Sequence, residues 1–266
     1  MTYWLWYPAL GGVAGILAGL LGVGGGLLIV PILTFLFSAQ QMPAPVILHL
    51  ALGTSLASIL FTSVASLRAH HREGAVDWQV FRGVTPGILA GTLLGSWLAA
   101  QLSTRFLRGF FVAFLYYVAL QMLLGVRPRP ARRLPGGRGL FGVGSLIGGV
   151  SSLVGIGGGS MSVPFLIWCN VSVHDAIGTS AAIGLPIALA GAVGYAATGA
   201  TASGLPPYSL GFVYLPALVG IAAVSVVTAP IGARLAHALP VTQLRRLFAL
   251  LLVVVGTKML ATAIGA

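Results

Sequence analysis

The 266-residue sequence predicts an all-α, polytopic membrane protein built from two inverted repeats. Each repeat is expected to be a glycine-broken short-helix hairpin followed by three transmembrane helices. Three observations predict it. Only 6% of the residues are charged and 58% are hydrophobic, whereas a soluble domain carries about a quarter charged residues. Apolar segments recur along the whole length, so the solvent is a bilayer. Two short motifs also occur twice in the same order, which points to internal duplication.

The first apolar segment, 4–21, follows an opening with neither the basic stretch nor the small-residue cleavage site of a removable signal peptide. Tyr3, Trp4, Trp6 and Tyr7 read there as an interfacial aromatic belt. Segment 27–37 has eleven residues. That is about 16 Å of helix, too short for a hydrocarbon core of about 30 Å, so it reads as a half-helix. With 4–21 it forms either a re-entrant hairpin tipped by glycines or a double crossing, and the sequence leaves both open. Segments 45–67, 79–102 and 106–125 complete a first membrane repeat over residues 1–125. "VRPRPARRLPGGRG" at 126–139 reads as an Arg/Pro/Gly-rich cytoplasmic linker. A second repeat over 140–266 follows, with apolar segments at 140–154, 160–169, 176–199, 208–236 and 244–265.

The halves share more than hydropathy. Gly22-Val23-Gly24-Gly25-Gly26 matches Gly155-Ile156-Gly157-Gly158-Gly159, with Pro31 matching Pro164. "HLALGTS", His49 to Ser55, matches "HDAIGTS", His174 to Ser180. The net charge of +11 lies mostly in connecting loops, where the positive-inside rule accounts for it without nucleic acid. With the linker in the cytoplasm and an odd number of crossings per half, Arg68, Arg72, Arg234, Arg245 and Arg246 also fall inside. Charge therefore favours inverted halves, with Arg105 and Arg108 dissenting.

Three consecutive glycines each cost roughly 1 kcal/mol in a helix interior, so the helix is expected to break at each cluster. The first N–H groups of the following helix then lack intrahelical partners and, with the helix dipole, make an anion site. Gly24, Gly25 and Gly26 and their counterparts Gly157, Gly158 and Gly159 are candidate substrate contacts on this argument. Thr54 and Ser55, with Thr179 and Ser180, can donate hydroxyls without bringing a counter-charge. Thr and Ser in membrane helices also bond their own carbonyls, so these residues read two ways. Gly11, Gly15 and Gly19, like Gly87, Gly91 and Gly95, recur at four-residue spacing and need only close helix packing.

His49 and His174 sit one helical turn before Gly53 and Gly178. They read equally as substrate contacts or proton-coupling groups and as hydrogen-bonded interfacial histidines. No carboxylate lies deep in a span, so an acid-based proton relay has little support. Cys169-Asn170 ends the second short segment where the first has Phe37-Ser38, and a small buried thiol is the commoner reading of Cys169. Lys258, inside the last segment, reads by default as snorkelling to an interface. No spacing calls for a metal or cofactor, and no P-loop is present.

On the duplicated glycine cluster, the following proline and the paired "GTS", the chain resembles the TauE/SafE family, the sulfite exporter family of membrane transporters. The resemblance implies a multi-pass protein of the cell inner (plasma) membrane. It would be a secondary transporter moving sulfite, organosulfonates such as sulfoacetate, or other small organic anions by alternating access, not an enzyme. By analogy Gly24–Gly26, Thr54, Ser55, Gly157–Gly159, Thr179 and Ser180 line the substrate path. Expected partners are the anionic substrate and membrane lipids, with a homo-oligomer open. An anion channel is the main alternative. A hydrolytic trio of His174, Asp175 and Ser180 is disfavoured because two members are adjacent and the first half has Leu50 in place of the acid.

Overall fold

A computed structural model describes residues 5–21, 25–124, 132–238 and 241–264. Each predicted segment contains a helix: α1 (Trp6–Leu21), α2 (Gly26–Ala39), α3 (Ala44–Arg72), α4 (Trp78–Gln101), α5 (Thr104–Leu124), α6 (Gly137–Val154), α7 (Gly159–Trp168), α8 (Val173–Gly199), α9 (Leu215–Ala238) and α10 (Val241–Ile264). Among the described residues, α3, α4, α5, α6, α8 and the Leu215–Gly232 part of α9 are long and apolar enough to cross a membrane. The chain is thus an all-α, multi-pass membrane protein. α3 and α8 form its centre, with 78% and 72% of their apolar windows buried, against 44% or less for the other four. Exposed Leu94, Trp97, Leu120, Val219 and Leu250 on the outer helices face where lipid would lie.

The packing of one half recurs, exchanged, in the other. α1 lies along α9 as α6 lies along α4; α3 meets α9 as α8 meets α4; α2 rests on α3 as α7 rests on α8. Spaced glycines allow the close approaches, as expected. A Cβ on Gly11 would strike the Ile221 carbonyl, and one on Gly87 the Phe141 carbonyl.

Both short-helix pairs are hairpins whose feet touch. Gln40, just past α2, donates from Nε2 to the Tyr7 hydroxyl at the start of α1, at 2.7 Å. Arg132, ahead of α6, donates its N–H to the Trp168 carbonyl at the end of α7, at 3.3 Å, and its guanidinium lies 4.9 Å from the Trp168 ring. α7, with ten residues, is about 15 Å long, and its end meets the chain that leads into α6. Tyr7 therefore ties the foot of a hairpin and is buried, while Trp6 is exposed as a belt residue would be; Tyr3 and Trp4 lie outside the described residues.

Two local expectations change. The end of the second short helix matches Gln40-Gln41, not Phe37-Ser38. Gln41 and Asn170 both take positive φ, 56° and 65°. The next N–H, of Met42 or Val171, bonds the carbonyl five residues back, Phe37 or Leu166, at 3.1 and 3.0 Å, which is the Schellman closure of a helix end. Segment 208–236 is also not one helix. Pro206-Pro207 and a positive φ at Tyr208 precede a small antiparallel hairpin, Ser209↔Tyr214 and Leu210↔Val213, whose turn holds Gly211 at positive φ, before α9 begins.

Candidate functional site

The two glycine turns meet. Gly25 and Gly158 begin α2 and α7 in the left-handed region, with φ of 70° and 77°, the conformation glycine supplies without a Cβ clash. Gly155, at the end of α6, has φ 69°. A Cβ on Gly26 would collide with the Gly155 carbonyl and the Ile156 Cα, so the turns from the two halves touch backbone to backbone. Gly24 lies outside the described residues. The N–H groups of Gly26, Leu27, Gly159 and Ser160 precede the first bonds of their helices and have no carbonyl within them to reach.

The paired Gly-Thr-Ser stretches join the halves in a reciprocal way. Thr54 Oγ1 on α3 accepts the Tyr214 N–H just before α9, at 2.9 Å. Thr179 Oγ1 on α8 accepts the Asp77 N–H just before α4, at 2.8 Å. A Cβ on Gly53 would strike the Phe212 carbonyl, and one on Gly178 the Ala75 carbonyl. Each motif therefore receives the backbone that leads into the fourth helix of the opposite half. The serines go elsewhere. Ser55 Oγ donates to the Gly155 carbonyl at 2.7 Å and so braces the second glycine turn. Ser180 Oγ lies 2.7 Å from Ser162 Oγ, and Ser162 donates to the Gly158 carbonyl at 3.0 Å.

Beside these turns is a narrow cleft of about 10 Å³ lined by Thr62, Ser63, Ser66, Gly157, Ser180 and Gly184, with Ala18 and Ala181, room for about one water. Ser66 is 4% exposed and its hydroxyl has no hydrogen-bond partner. An unpaired buried hydroxyl costs about 1–3 kcal/mol, so its position calls for a guest. Ser160, first in α7 after Gly159, is likewise buried with an unpartnered Oγ. Thr62 donates onward to Ser225 Oγ of α9 at 2.8 Å. Sequence reasoning missed Thr62, Ser63, Ser66 and Ser162. A signal existed: Ser55, Ser58, Thr62 and Ser66 fall at i, i+3, i+7 and i+11 on α3, one helical face. The second half places Ser180, Ile183, Ile187 and Gly191 at the matching steps, so the cleft is hydroxyl-rich on one wall only.

The two histidines occupy different environments. His49 is buried, its Nε2 3.0 Å from the Ala99 carbonyl and its ring 5.0 Å from that of Phe212. His174 is exposed in the first turn of α8. Neither lines the cleft. Asp175 accepts from Ser172 Oγ at 2.7 Å as part of a helix cap, while Ser180 pairs with Ser162. Cys169 is a buried free thiol, and the Lys258 ammonium lies 4.9 Å from the Phe35 ring, joining α10 to α2. Among the described residues, no cluster of three metal-ligating side chains occurs.

Comparison with known proteins adds an independent line. A family model described as "Sulfite exporter TauE/SafE" matches residues 7–259. A "Probable membrane transporter protein" of Haemophilus influenzae is 36% identical over 263 residues, covering 97% of this chain and 98% of that one. A protein of the same description from Methanocaldococcus jannaschii is 27% identical over 258 residues, covering 94% and 92%. One from Bacillus subtilis is 28% identical over 177 residues, covering 59% and 65%. No solved structure matches.

Proposed function

The chain belongs to the TauE/SafE family of membrane transporters, and from that premise we propose that it carries small sulfur-containing oxyanions, sulfite or organosulfonates such as sulfoacetate, across the plasma membrane. One observation carries the reading: the second of two touching glycine turns lines, through Gly157, a narrow cleft in which the buried Ser66 hydroxyl is unpartnered. Ser66, Ser160 and Ser180 hydroxyls and the N–H groups at the starts of α2 and α7 donate to the oxyanion. Ser55 holds the second glycine turn in place, while Thr54 and Thr179 hold the backbone that leads into α9 and α4. No charged side chain lines the cleft, so the anion is held by dipoles and can leave again.

The cleft is too small for a sulfonate, and transport therefore requires the halves to separate. Alternating access between inverted halves provides this. Two contacts support inversion. Asp77, at the end of the α3–α4 connection, meets Thr179 near the start of α8, and Tyr214, ahead of α9, meets Thr54 near the start of α3. The end of α3 thus lies beside the beginning of α8. In this reading the Arg-rich linker and the C-terminal ends of α3 and α9 share the cytoplasmic face.

The test is counterflow in vesicles reconstituted with purified protein, using labelled sulfite and sulfoacetate. Saturable counterflow of either is expected. Ser66→Ala and Ser180→Ala should raise the half-saturation concentration about tenfold, the loss of one hydrogen bond to a charged group. Absence of counterflow for every sulfur oxyanion tried would overturn the substrate class, and unchanged half-saturation in both variants would overturn the cleft.

A further inference from the structure

A second cavity, of about 270 Å³, opens at the ends of α3 and α9. Its walls carry Arg68 and Arg72 from the first half and Arg234 from the second, with Glu73 as the carboxylate among the lining residues. Three arginines, one carboxylate and His70 thus line one concave surface, where low-dielectric walls focus the field. Ala65 and Ala69 line the same cavity, and Ser66, next to Ala65, lines the cleft. The basin and the cleft therefore draw on adjacent residues of α3, Ala65 and Ser66, about 1.5 Å apart along the helix axis.

Two simpler accounts of these arginines fall short. The positive-inside rule places arginines on one face, but does not bring those of opposite halves onto one cavity. Compensation of a helix C-terminal dipole concerns each helix by itself, and would not set Arg234 against Arg68. The convergence, and the hydroxyl-lined cleft that draws on the neighbouring residue of α3, remain to be explained.

We infer that this basin is an anion-docking subsite at the mouth of the transport cleft, in which Arg68, Arg72 and Arg234 capture a small oxyanion of one or two negative charges before it passes to Ser66. The inference rests on the transport reading above for its second step, but the docking itself can be tested apart. Guanidinium groups bind sulfonate, sulfite and phosphate oxygens alike, through paired charge-assisted hydrogen bonds. A phospholipid head-group would satisfy the same donors, so the experiment separates a soluble anion from a lipid.

The first arm measures thiol modification. Ala69→Cys is placed in a Cys169→Ser chain, and the purified protein is held in phosphatidylcholine nanodiscs, which leave both faces accessible. Reaction with an anionic ethylsulfonate methanethiosulfonate is compared with that of the cationic trimethylammonium analogue. After correction for a free thiol, the anionic reagent should react at least about tenfold faster. The preference should disappear when Arg68→Gln and Arg234→Gln are added, and methanesulfonate should slow the labelling. A ratio equal to that of a free thiol overturns the inference. So does labelling that is suppressed only when phosphatidylglycerol is present in the disc, since a lipid then occupies the basin.

The second arm measures transport. Arg68→Gln with Arg234→Gln should raise the half-saturation concentration for sulfite or sulfoacetate about tenfold and leave the maximal rate intact. Arg138→Gln, exposed at the start of α6, should change neither. An unchanged half-saturation in the double variant removes the basin from the path. If the wild-type protein moves none of these anions, the function proposed above fails, while the labelling ratio still decides whether the basin docks anions.

Discussion

Thr54 and Thr179 show how one residue type serves two readings. Their repetition points to substrate, yet the oxygen of each accepts a backbone N–H from the opposite half. A donor at the start of a helix has no partner of its own, and a threonine on a neighbouring helix supplies one. Thr54→Val keeps the shape and removes the acceptor, leaving the Tyr214 N–H unpaired at a cost of about 1–3 kcal/mol. Its thermal midpoint in detergent should fall, and Thr54→Ser should restore most of the loss. A valine variant that melts with the wild type would show that the bond contributes nothing. His49 follows the same pattern, since its contact with the Ala99 carbonyl ties α3 to α4.

At the scale of elements, the short helices decide the architecture. α2, with fourteen residues, is about 21 Å long and begins where a left-handed glycine breaks the chain. The Gln40–Tyr7 and Arg132–Trp168 contacts bring each pair back on itself, so each glycine turn is delivered to the interior while its feet stay together. Cysteines at Tyr7 and Gln40, in a chain with Cys169→Ser, should be joined within one molecule by a short bifunctional thiol reagent. Failure to cross-link would mean that the start of α1 and the end of α2 do not stay together at one face.

At the scale of the whole molecule, the exchanged contacts make the halves mutually dependent. α1 has its main partner in α9 and α6 in α4, so neither half buries its own small-residue faces. A Cβ on Gly15 would meet Thr228 Oγ1 and the Ser225 backbone, and one on Gly148 would meet Thr92 Oγ1 and the Ile88 carbonyl. Gly15→Leu and Gly148→Leu should therefore destabilise alike, each by more than the 1–3 kcal/mol typical of overpacking, because backbone must move. Matched losses of monodisperse protein in size-exclusion chromatography are the expected result. A large effect at one position and none at the other would mean that the two interfaces are not equivalent. The cleft departs from this equivalence: its hydroxyl stripe lies on α3, while α8 offers Ile183, Ile187 and Gly191 at the matching steps.

The membrane class, the helical segments and the repeated motifs were legible in the sequence because they rest on local properties: hydropathy summed over a segment, glycine and proline breaks, and repeated strings. The glycine turns were located by the same local rule, since three glycines in a row cannot hold a helix. The partners of those turns were not legible. Apolar segments of similar length do not say which of them touch, and a hydroxyl face on a membrane helix can bond its own carbonyls, as Ser58 and Thr62 do in part. Tertiary structure alone decided that the hairpin feet meet, that the threonines hold the opposite half, and that Arg68 and Arg234 share one basin. Each of these is a contact between residues far apart in the chain, fixed by how helix faces fit together rather than by the composition of either helix.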